Sequence, residues 1–283
     1  MNKVQCVGVV GAGTMGSGIA QVCASAGLEV VLLDVSEAAL ERGVATMAAS
    51  LDKRVQKGAL SAQEKQATLQ RLQTTIRYED LARVQIAIET ATEQPQLKFE
   101  LLRRMESALP AHALIGSNTS SISITQLAAA LREPSRLVGL HFFNPVPAMA
   151  LVEVIRGLQT SEEAYDRAMV FARALGKTPI PVANRPGFVV NRILIPMVNE
   201  AIFAVQERLG SVDDIDTAMQ IGGGHPIGPL RLADVVGLDV VLAVMEVLQA
   251  SFGDNKYRPA FLLREMVQAG LLGRKTGQGF YKY

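Results

Sequence analysis

Cysteine and histidine are scarce in this chain of 283 residues, which contains two cysteines and three histidines. Cys6 and Cys23 fall in a predicted strand and a predicted helix, without the spacing of metal ligands. We therefore interpret both as buried small hydrophobic residues. The sequence predicts no metal site, and a reducing, cytoplasmic compartment is the expected location.

An excess of charge of either sign is also missing. Twenty-eight basic residues face 27 acidic ones, a formal net charge of +1, which gives no support to a broad nucleic-acid-binding surface. Glycines interrupt the apolar run near the N-terminus, and no later run approaches the ~18 apolar residues of a membrane span. We expect neither a signal peptide nor a nucleic-acid or membrane partner.

Hydrophobic residues, by contrast, make up 49% of the chain and charged residues 19%, as in a well-packed α/β protein. The length favours two domains. Short apolar runs predict buried strands, separated by helical patterns with Ser36 and Ser61 as expected N-caps. The predicted strands are Val4–Val10, Leu28–Leu33, Val84–Glu89, Ala113–Ser117, Leu137–Phe142, Leu151–Ile155 and Pro179–Val182. This alternation predicts a doubly wound parallel sheet with helices on both faces.

The pattern changes after Asn184-Arg-Pro-Gly187, where strand signals end. Only helical patterns follow, at Val189–Glu207, Asp213–Gln220, Leu238–Phe252 and Ala260–Ala269. We therefore predict an α/β domain over residues 1–185 and a smaller all-α domain over residues 186–283.

A glycine-rich turn connects the first predicted strand to the first predicted helix. Gly11, Gly13 and Gly16 have the G-x-G-x-x-G spacing, with Thr14 and Met15 inside it. The first glycine allows the tight turn, the second lets a pyrophosphate approach the backbone, and the third lets helix and strand pack closely. In this strand–turn–helix context the motif predicts a dinucleotide site in a Rossmann-type domain.

Asp34 follows 18 residues after Gly16, at the end of the second predicted strand. A carboxylate at this position accepts hydrogen bonds from the ribose hydroxyls and repels a 2′-phosphate. Its presence favours NAD over NADP. The alternative is an ordinary acidic residue at a strand end.

His141 stands at the end of a predicted strand, where a doubly wound sheet binds its ligands. Twelve residues later, Glu153 lies inside the apolar run Leu-Val-Glu-Val-Ile. A buried carboxylate needs a partner. A histidine on an adjacent strand would supply one and gain a fixed tautomer for acid/base chemistry. A solvent-facing glutamate beside a core histidine is the alternative, and residue pattern alone leaves both open.

Six segments together resemble the short-chain 3-hydroxyacyl-CoA dehydrogenase family. They are GAGTMGSGIA, SNTSSISI, GLHFFNPVPAM with LVEV, RPGFVVNRI, DIDTAMQIGGGHPIGPLRLAD and GRKTGQGFYKY. The resemblance covers almost the whole chain, in family order and spacing. It implies that His141 takes the proton of the substrate's 3-hydroxyl and that Glu153 orients His141. It also implies that Ser120 bonds the reacting oxygen near the nicotinamide, and that Asn191 holds the thioester end from the second domain.

The same resemblance implies further contacts with the cofactor and with coenzyme A. It places Glu93, Lys98, Asn118, Asn144 and Lys275 at NAD, so the C-terminal tail would have to fold back toward the first domain. It places Ser50 and Lys57 at coenzyme A, although Lys57 also fits an ordinary solvated helix face beside Lys53 and Arg54. Two details depart from the family: the segment Ala-Thr-Glu93-Gln-Pro-Gln, and His225 in a glycine loop, to which we assign no role.

The expected function is therefore that of an NAD-dependent (S)-3-hydroxyacyl-CoA dehydrogenase of short chains, such as 3-hydroxybutyryl-CoA. Its direction in the cell stays open: oxidative, as in fatty-acid metabolism or aromatic-acid breakdown, or reductive, as in butanol or polyester pathways. A dicarboxylic substrate such as 3-hydroxyadipyl-CoA is an open variant. The alternatives are a dehydrogenase of a free hydroxy or sugar acid, of the L-gulonate type, and a non-catalytic NAD-binding protein. The resemblance and the apolar helices of the second half also imply a homodimer joined through that half.

Overall fold

The computed structural model describes residues 4–283, which separate into two compact units, the first ending at Asn184 and the second spanning Arg185–Tyr283. Each unit has its own hydrophobic core. The boundary between the units follows Asn184, one residue earlier than the predicted boundary after residue 185. The first unit is α/β and the second is all-α apart from isolated bridges in its tail, so the predicted fold class is confirmed.

One sheet of eight strands organises the first unit. In chain order the strands are β1 (Cys6–Val10), β2 (Glu29–Leu33), β3 (Leu72–Thr75), β4 (Ile86–Glu89), β5 (Leu114–Ser117), β6 (Leu137–Phe142), β7 (Leu151–Arg156) and β8 (Thr178–Ala183). Their order across the sheet is β3-β2-β1-β4-β5-β6-β7-β8. The chain moves outward from β1 to β3 and then returns to β4. A crevice for ligands therefore opens at the carboxyl ends of β1 and β4.

The last two strands depart from the predicted parallel sheet. β6 pairs antiparallel with β7, and β7 pairs parallel with β8, so both run opposite to β1–β6. Only residues 143–150 connect β6 to β7. A parallel pair needs a crossover of about a dozen residues or more, so this connection is too short for one. The reversal puts the end of β6 beside the start of β7.

Strand β3 was not predicted from the sequence. Its residues Leu-Gln-Thr-Thr lack an apolar run, and only Thr75 among them is buried. β3 is one of the two edge strands and pairs only with β2, so it needs little apolar surface. Its ladder hydrogen bonds, rather than its side chains, define it as a strand.

Helices cover both faces of the sheet. They are α1 (Thr14–Ser25), α2 (Glu37–Gln56), α3 (Ala62–Gln70), α4 (Pro95–Ala108), α5 (Ile124–Ala128) and α6 (Glu162–Ala174), with short 3₁₀ helices at Tyr78–Arg83 and Pro134–Arg136. Both predicted N-caps are confirmed. The Ser36 hydroxyl accepts a hydrogen bond from the Ala39 amide, and Ser61 forms a capping box with Glu64.

The second unit contains five helices and two 3₁₀ helices. They are α7 (Val190–Gln206), α8 (Val212–Ile221), α9 (Pro229–Val236), α10 (Leu238–Phe252) and α11 (Phe261–Gln268), with 3₁₀ helices at Asn255–Tyr257 and Arg274–Thr276. The core collects side chains from α7, α9, α10 and α11. α9 was not predicted, because its eight residues are too few to show a clear period. Within the part of the chain described, no single helix is long and apolar enough to cross a membrane; α9 and α10 pass that test only as a pair, bent by 96°.

Candidate active site

The loop between β1 and α1 presents backbone N–H groups at the start of a helix. Gly11 has a φ of +107°, which favours glycine, and a Cβ at Gly16 would overlap the Gly11 carbonyl oxygen. No side chain caps α1, whose N-cap is Gly13, and the position of a Cβ at Gly13 has no atom within 4 Å. Thr14 and Met15 form the first turn of α1. The loop therefore has the open helix start and backbone access that a pyrophosphate requires.

Asp34 holds this loop from the end of β2. Its Oδ2 accepts a hydrogen bond of 2.7 Å from the Ala12 amide, and its Oδ1 accepts one of 2.7 Å from the Val35 amide. Each carboxylate oxygen has a second lone pair, so Asp34 can still accept from ribose hydroxyls. The residue both shapes the glycine loop and presents negative charge beside it.

His141 and Glu153 face each other across the antiparallel pair β6–β7. The His141 Nδ1 lies 2.7 Å from the Glu153 Oε2, with side-chain exposures of 7% and 0%. An ionised Glu153 makes Nδ1 the protonated ring nitrogen, which leaves Nε2 as the basic one. The ring of Phe143 lies 4.4 Å from the imidazole, centroid to centroid. The structure thus combines a buried carboxylate with an imidazole of defined orientation.

Asn118 connects the end of β5 to the end of β6. Its side-chain oxygen accepts a 2.9 Å hydrogen bond from the Phe142 amide, next to His141, and its own amide donates to the Glu89 carbonyl. Ser120 follows two residues later and is partly buried. The predicted residues Asn118, Ser120 and His141 therefore come from neighbouring strand ends.

Glu93 gathers the loop that carries Ser120. Its Oε1 accepts hydrogen bonds from the Thr119 hydroxyl (2.6 Å), the Ser120 amide (2.7 Å) and the Ser121 hydroxyl (3.0 Å). Burial would raise the pKa of this carboxyl, but the charge of the Lys98 ammonium and these hydrogen bonds outweigh it and lower the pKa. Because 36% of its side chain is exposed, Glu93 presents a carboxylate to solvent beside Ser120.

Lys98 lies beneath Glu93, with 1% of its side chain exposed. Its ammonium donates to both oxygens of Glu89, at 2.8 and 2.9 Å, and to the Ala91 carbonyl at 3.0 Å. Its distance to the Glu93 Oε2 is 3.4 Å. Glu89 was not predicted as a site residue, although a carboxylate ending the apolar strand Ile-Ala-Ile-Glu is the same signal that pointed to Glu153.

The other predicted site residues lie on several different elements. Asn144 is exposed and forms a cis peptide bond with Pro145, in the connection from β6 to β7. Ser50 is partly exposed on α2, and Lys57 is exposed at its C-cap. Asn191 is in the first turn of α7, in the second unit. Lys275, also in the second unit, has its ammonium 2.5 Å from an oxygen of Asp239.

The other two histidines lie in connections outside the helices and strands of the protein. His112 is exposed, and its carbonyl accepts a hydrogen bond from Arg167. His225 lies in the loop after α8, where its amide bonds the Met219 carbonyl. Among residues 4–283, no group of three or more histidine, cysteine, aspartate or glutamate residues is arranged to hold a metal ion.

Known proteins identify the family to which this arrangement belongs. Residues 6–185 match the NAD binding domain of 3-hydroxyacyl-CoA dehydrogenase, and residues 187–283 match the C-terminal domain of the same enzyme. The chain belongs to the 3-hydroxyacyl-CoA dehydrogenase family. It is accordingly an NAD-dependent enzyme of that family, and the glycine loop and Asp34 are suited in geometry and charge to NAD.

Three relatives show how far the similarity extends. A 3-hydroxybutyryl-CoA dehydrogenase of Bradyrhizobium diazoefficiens is 47% identical, over 98% of this chain and 94% of the relative. The crystal structure of (S)-3-hydroxybutyryl-CoA dehydrogenase from Ralstonia eutropha is 54% identical with a TM-score of 0.96, covering 99% of each chain. A 3-hydroxyadipyl-CoA dehydrogenase of Escherichia coli is 41% identical over 100% of this chain and 60% of the relative. Relatives named for different acyl-CoA substrates are therefore similar to this chain.

Proposed function

We propose that this enzyme oxidises short-chain (S)-3-hydroxyacyl-CoA, such as 3-hydroxybutyryl-CoA, to the 3-ketoacyl-CoA, with His141 and Glu153 as its acid/base pair. The observation that carries the proposal is the 2.7 Å contact between the His141 Nδ1 and the buried Glu153. It orients the basic Nε2 at the carboxyl edge of the sheet, in a domain that binds NAD.

The proposed reaction moves one proton and one hydride. His141 Nε2 takes the proton of the 3-hydroxyl while the bond between that oxygen and C3 becomes a carbonyl. NAD, when bound, supplies the chemistry that accepts the hydride from C3. Glu153 stabilises the imidazolium that results, because its negative charge is 2.7 Å away and buried. In the reverse direction His141 returns the proton.

Ser120 and Asn191 would contact the substrate through their polar side chains. Ser120 lies in the loop held by Glu93, to which its hydroxyl donates at 3.1 Å. A hydroxyl has one donor, so on substrate binding it would turn from Glu93 to the reacting oxygen, while the Ser120 amide still donates to Glu93. Asn191 would hold the thioester end of the substrate. Glu93, Asn118 and Asn144 border the predicted nicotinamide end of the cofactor, and Lys275 remains a predicted cofactor contact from the tail.

Ser50 and Lys57 are the proposed contacts for the coenzyme A part. They lie on or at the end of α2, which follows β2, whereas His141 is on β6. A lysine complements the phosphate charges of coenzyme A, which is what supports Lys57 in this role.

Turnover of matched substrates tests the proposal. NADH oxidation would be followed by its absorbance with acetoacetyl-CoA, with free acetoacetate and with longer 3-ketoacyl-CoA thioesters. We expect rapid turnover of acetoacetyl-CoA, little of the free acid, and a lower kcat/KM as the acyl chain lengthens. Turnover of free acids alone would move the protein to the L-gulonate type, and tight NADH binding without turnover would indicate a non-catalytic protein.

A dicarboxylic acyl group is the second candidate, supported by the similarity to the 3-hydroxyadipyl-CoA dehydrogenase of Escherichia coli. The same assay with 3-hydroxyadipyl-CoA and NAD, compared with 3-hydroxybutyryl-CoA, separates the two. A higher kcat/KM for the dicarboxylic thioester would replace the short-chain proposal.

We further propose a homodimer through the second unit, and a cytoplasmic location. Several large apolar side chains of that unit are more than two-fifths exposed, a surface that a partner would cover. They include Ile193 (67%), Leu209 (81%), Ile221 (81%), Val235 (49%), Val240 (44%) and Phe261 (64%). The molar mass from light scattering tests the dimer, and cell fractionation tests the location.

A further inference from the structure

A single carboxylate oxygen holds the loop of Ser120 in place. Glu93 Oε1 accepts hydrogen bonds from both the amide and the hydroxyl of Ser120, at 2.7 and 3.1 Å, and from both the amide and the hydroxyl of Ser121, at 3.1 and 3.0 Å. The Thr119 hydroxyl donates to the same oxygen at 2.6 Å. The position of the Ser120 hydroxyl therefore depends directly on the position of Glu93.

Glu93 is in turn held by a cation that is almost entirely buried. The Lys98 ammonium lies 3.4 Å from the Glu93 Oε2. The serine loop donates to the other oxygen of the same carboxylate, Oε1. An ammonium has three N–H donors. In Lys98 they reach the two oxygens of Glu89 and the Ala91 carbonyl. With 1% of its side chain exposed, Lys98 has its donors directed at protein atoms.

Glu89 anchors this arrangement in the sheet. It is the last residue of β4, which lies between β1 and β5, and its side chain is fully buried. Besides Lys98, its carboxylate accepts hydrogen bonds from the Ser117 hydroxyl (2.7 Å) and the Ala91 amide (2.6 Å). A buried carboxylate satisfied on every side is rigid, because any movement would break several charge-assisted bonds.

We propose that Glu89 and Lys98 are positioning residues that act on Ser120 through Glu93, and that Lys98 does not bind the dinucleotide directly. This extends the proposed function, since it is the proposed role of Ser120 that makes its position matter. The family resemblance predicts Lys98 at the cofactor, but the burial and the three donor contacts of its ammonium favour an indirect role. A sheet-anchored ion pair thereby controls a loop at the active site.

Hydrogen–deuterium exchange in the ligand-free protein tests the positioning role without any assay of activity. Lys98→Met should speed exchange in the segment 118–122, because the amides of Ser120 and Ser121 donate to Glu93. Glu93→Ala should speed it at least as much, and Lys98→Met should add little in the Glu93→Ala background. Independent, additive effects of the two substitutions would overturn the proposal, as would unchanged exchange in Lys98→Met.

Kinetics with NADH and acetoacetyl-CoA then separate an indirect from a direct role. We expect Lys98→Met to lower kcat by about 10- to 100-fold, the size of effect that follows from displacing a catalytic group by about 1 Å. The dissociation constant of NADH should change no more than in Glu93→Ala, and Lys98→Met should change it little further in the Glu93→Ala background, because Lys98 would act only through Glu93. A large loss of NADH affinity in Lys98→Met, with kcat retained, would show direct binding and overturn the proposal.

Two further variants serve as controls. Lys98→Met leaves Glu89 buried without its cation, which can impair folding. The double variant Glu89→Gln/Lys98→Met removes both charges, so it should fold while still freeing Glu93 and speeding exchange at segment 118–122. Lys65→Met removes a surface ammonium that pairs with Asp52 and should change neither exchange at this segment nor kcat. If the wild type does not turn over acetoacetyl-CoA, the proposed function fails, while the exchange result still decides the positioning role.

Discussion

Each of the two units of this protein buries carboxylates, but their partners differ. In the first unit, Glu153 faces the His141 imidazole, and Glu89 faces the Lys98 ammonium. In the second unit, Asp216 and Asp234 are equally buried, with exposures of 3% and 1%. Among the ion pairs of the described residues, neither Asp216 nor Asp234 takes part in one.

The aspartates of the second unit bind backbone amides and tyrosine hydroxyls instead. Asp216 accepts from the amides of Leu230 and Arg231, at the start of α9, and from the Tyr281 hydroxyl. Asp234 accepts from the amides of Phe280 and Tyr281 and from the Tyr283 hydroxyl, and so anchors the C-terminal tail. These groups do not change charge near neutral pH, which makes the aspartates structural anchors.

The role of a buried carboxylate in this protein thus follows from the groups that it faces. One that faces a side chain able to carry a proton or a charge can tune chemistry, whereas one that faces amides determines chain geometry. Substitutions in the first unit should therefore appear in kcat, and those in the second unit in the free energy of unfolding. Substitutions at His141, Glu153, Asp234 and Tyr281 test this division.

Replacing His141 by asparagine should have the largest effect. The side-chain amide of Asn can still donate to Glu153 from a position like that of Nδ1, but the basic Nε2 is lost. We expect kcat to fall by about 10²- to 10⁴-fold, the usual contribution of a general acid/base, with the melting temperature nearly unchanged. Steady-state kinetics and calorimetry on the same preparation measure both. A kcat that stays within about tenfold of the wild type would exclude His141 as the base.

Glu153→Gln keeps the size of the side chain and removes its charge. A neutral amide no longer stabilises the imidazolium or selects the tautomer with a proton on Nδ1, so kcat should fall by on the order of 10²-fold. The dissociation constant of NADH, followed by fluorescence titration, should hardly move. If the variant loses stability but keeps its kcat, Glu153 is an anchor like Asp234, and the division between the units is wrong.

The fold was largely predictable because its signals are local. The valine-rich first strand, the glycine loop and the caps Ser36 and Ser61 each depend on a few neighbouring residues. The edge strand β3 and the eight-residue helix α9 were missed because their side chains show no clear apolar period. The antiparallel direction of β7 could have been predicted from the short connection 143–150. A connection of that length excludes a parallel crossover, even though the strand–helix alternation elsewhere predicts a parallel sheet.

The site was predictable only in part. The rule that a charge inside an apolar strand requires a partner suggested pairing His141 with Glu153, but the residue pattern left a solvent-facing glutamate open and only the family resemblance favoured the pair, whose contact spans two strands. The contacts of Glu89 join residues up to 28 positions apart, and no local pattern encodes such a pairing. The direction of the Lys98 side chain was likewise invisible, because burial of a lysine depends on tertiary packing.

Asp234→Asn tests the structural role of the buried aspartates in the second unit. One of its oxygens becomes an N–H₂ group that must face a backbone N–H of Phe280 or Tyr281, which leaves a buried donor without an acceptor. The free energy of unfolding should drop by about 1–3 kcal/mol, the cost of an unsatisfied buried polar group, while kcat stays within about twofold. Urea denaturation and steady-state assays provide the two readouts. A kcat loss comparable to that of Glu153→Gln would show that the tail takes part in catalysis.

The smallest expected effect is that of Tyr281→Phe, and it is best observed at high pH. Burial, together with the hydrogen bond to Asp216 and its charge, raises the pKa of Tyr281 in the folded protein. The unfolded chain then loses the phenolic proton first, so the stability from this group is complete below about pH 10 and declines as the pH rises further.

At neutral pH the Tyr281→Phe variant should lose about 1 kcal/mol of unfolding free energy, the worth of one hydrogen bond. Urea denaturation at rising pH should show a shallower alkaline decline for Tyr281→Phe than for the wild type, with Tyr283 accounting for part of the remainder because its pKa is also raised. An identical decline in both proteins would mean that Tyr281 does not sense the charge of Asp216, and this anchor would then resemble an ordinary surface contact.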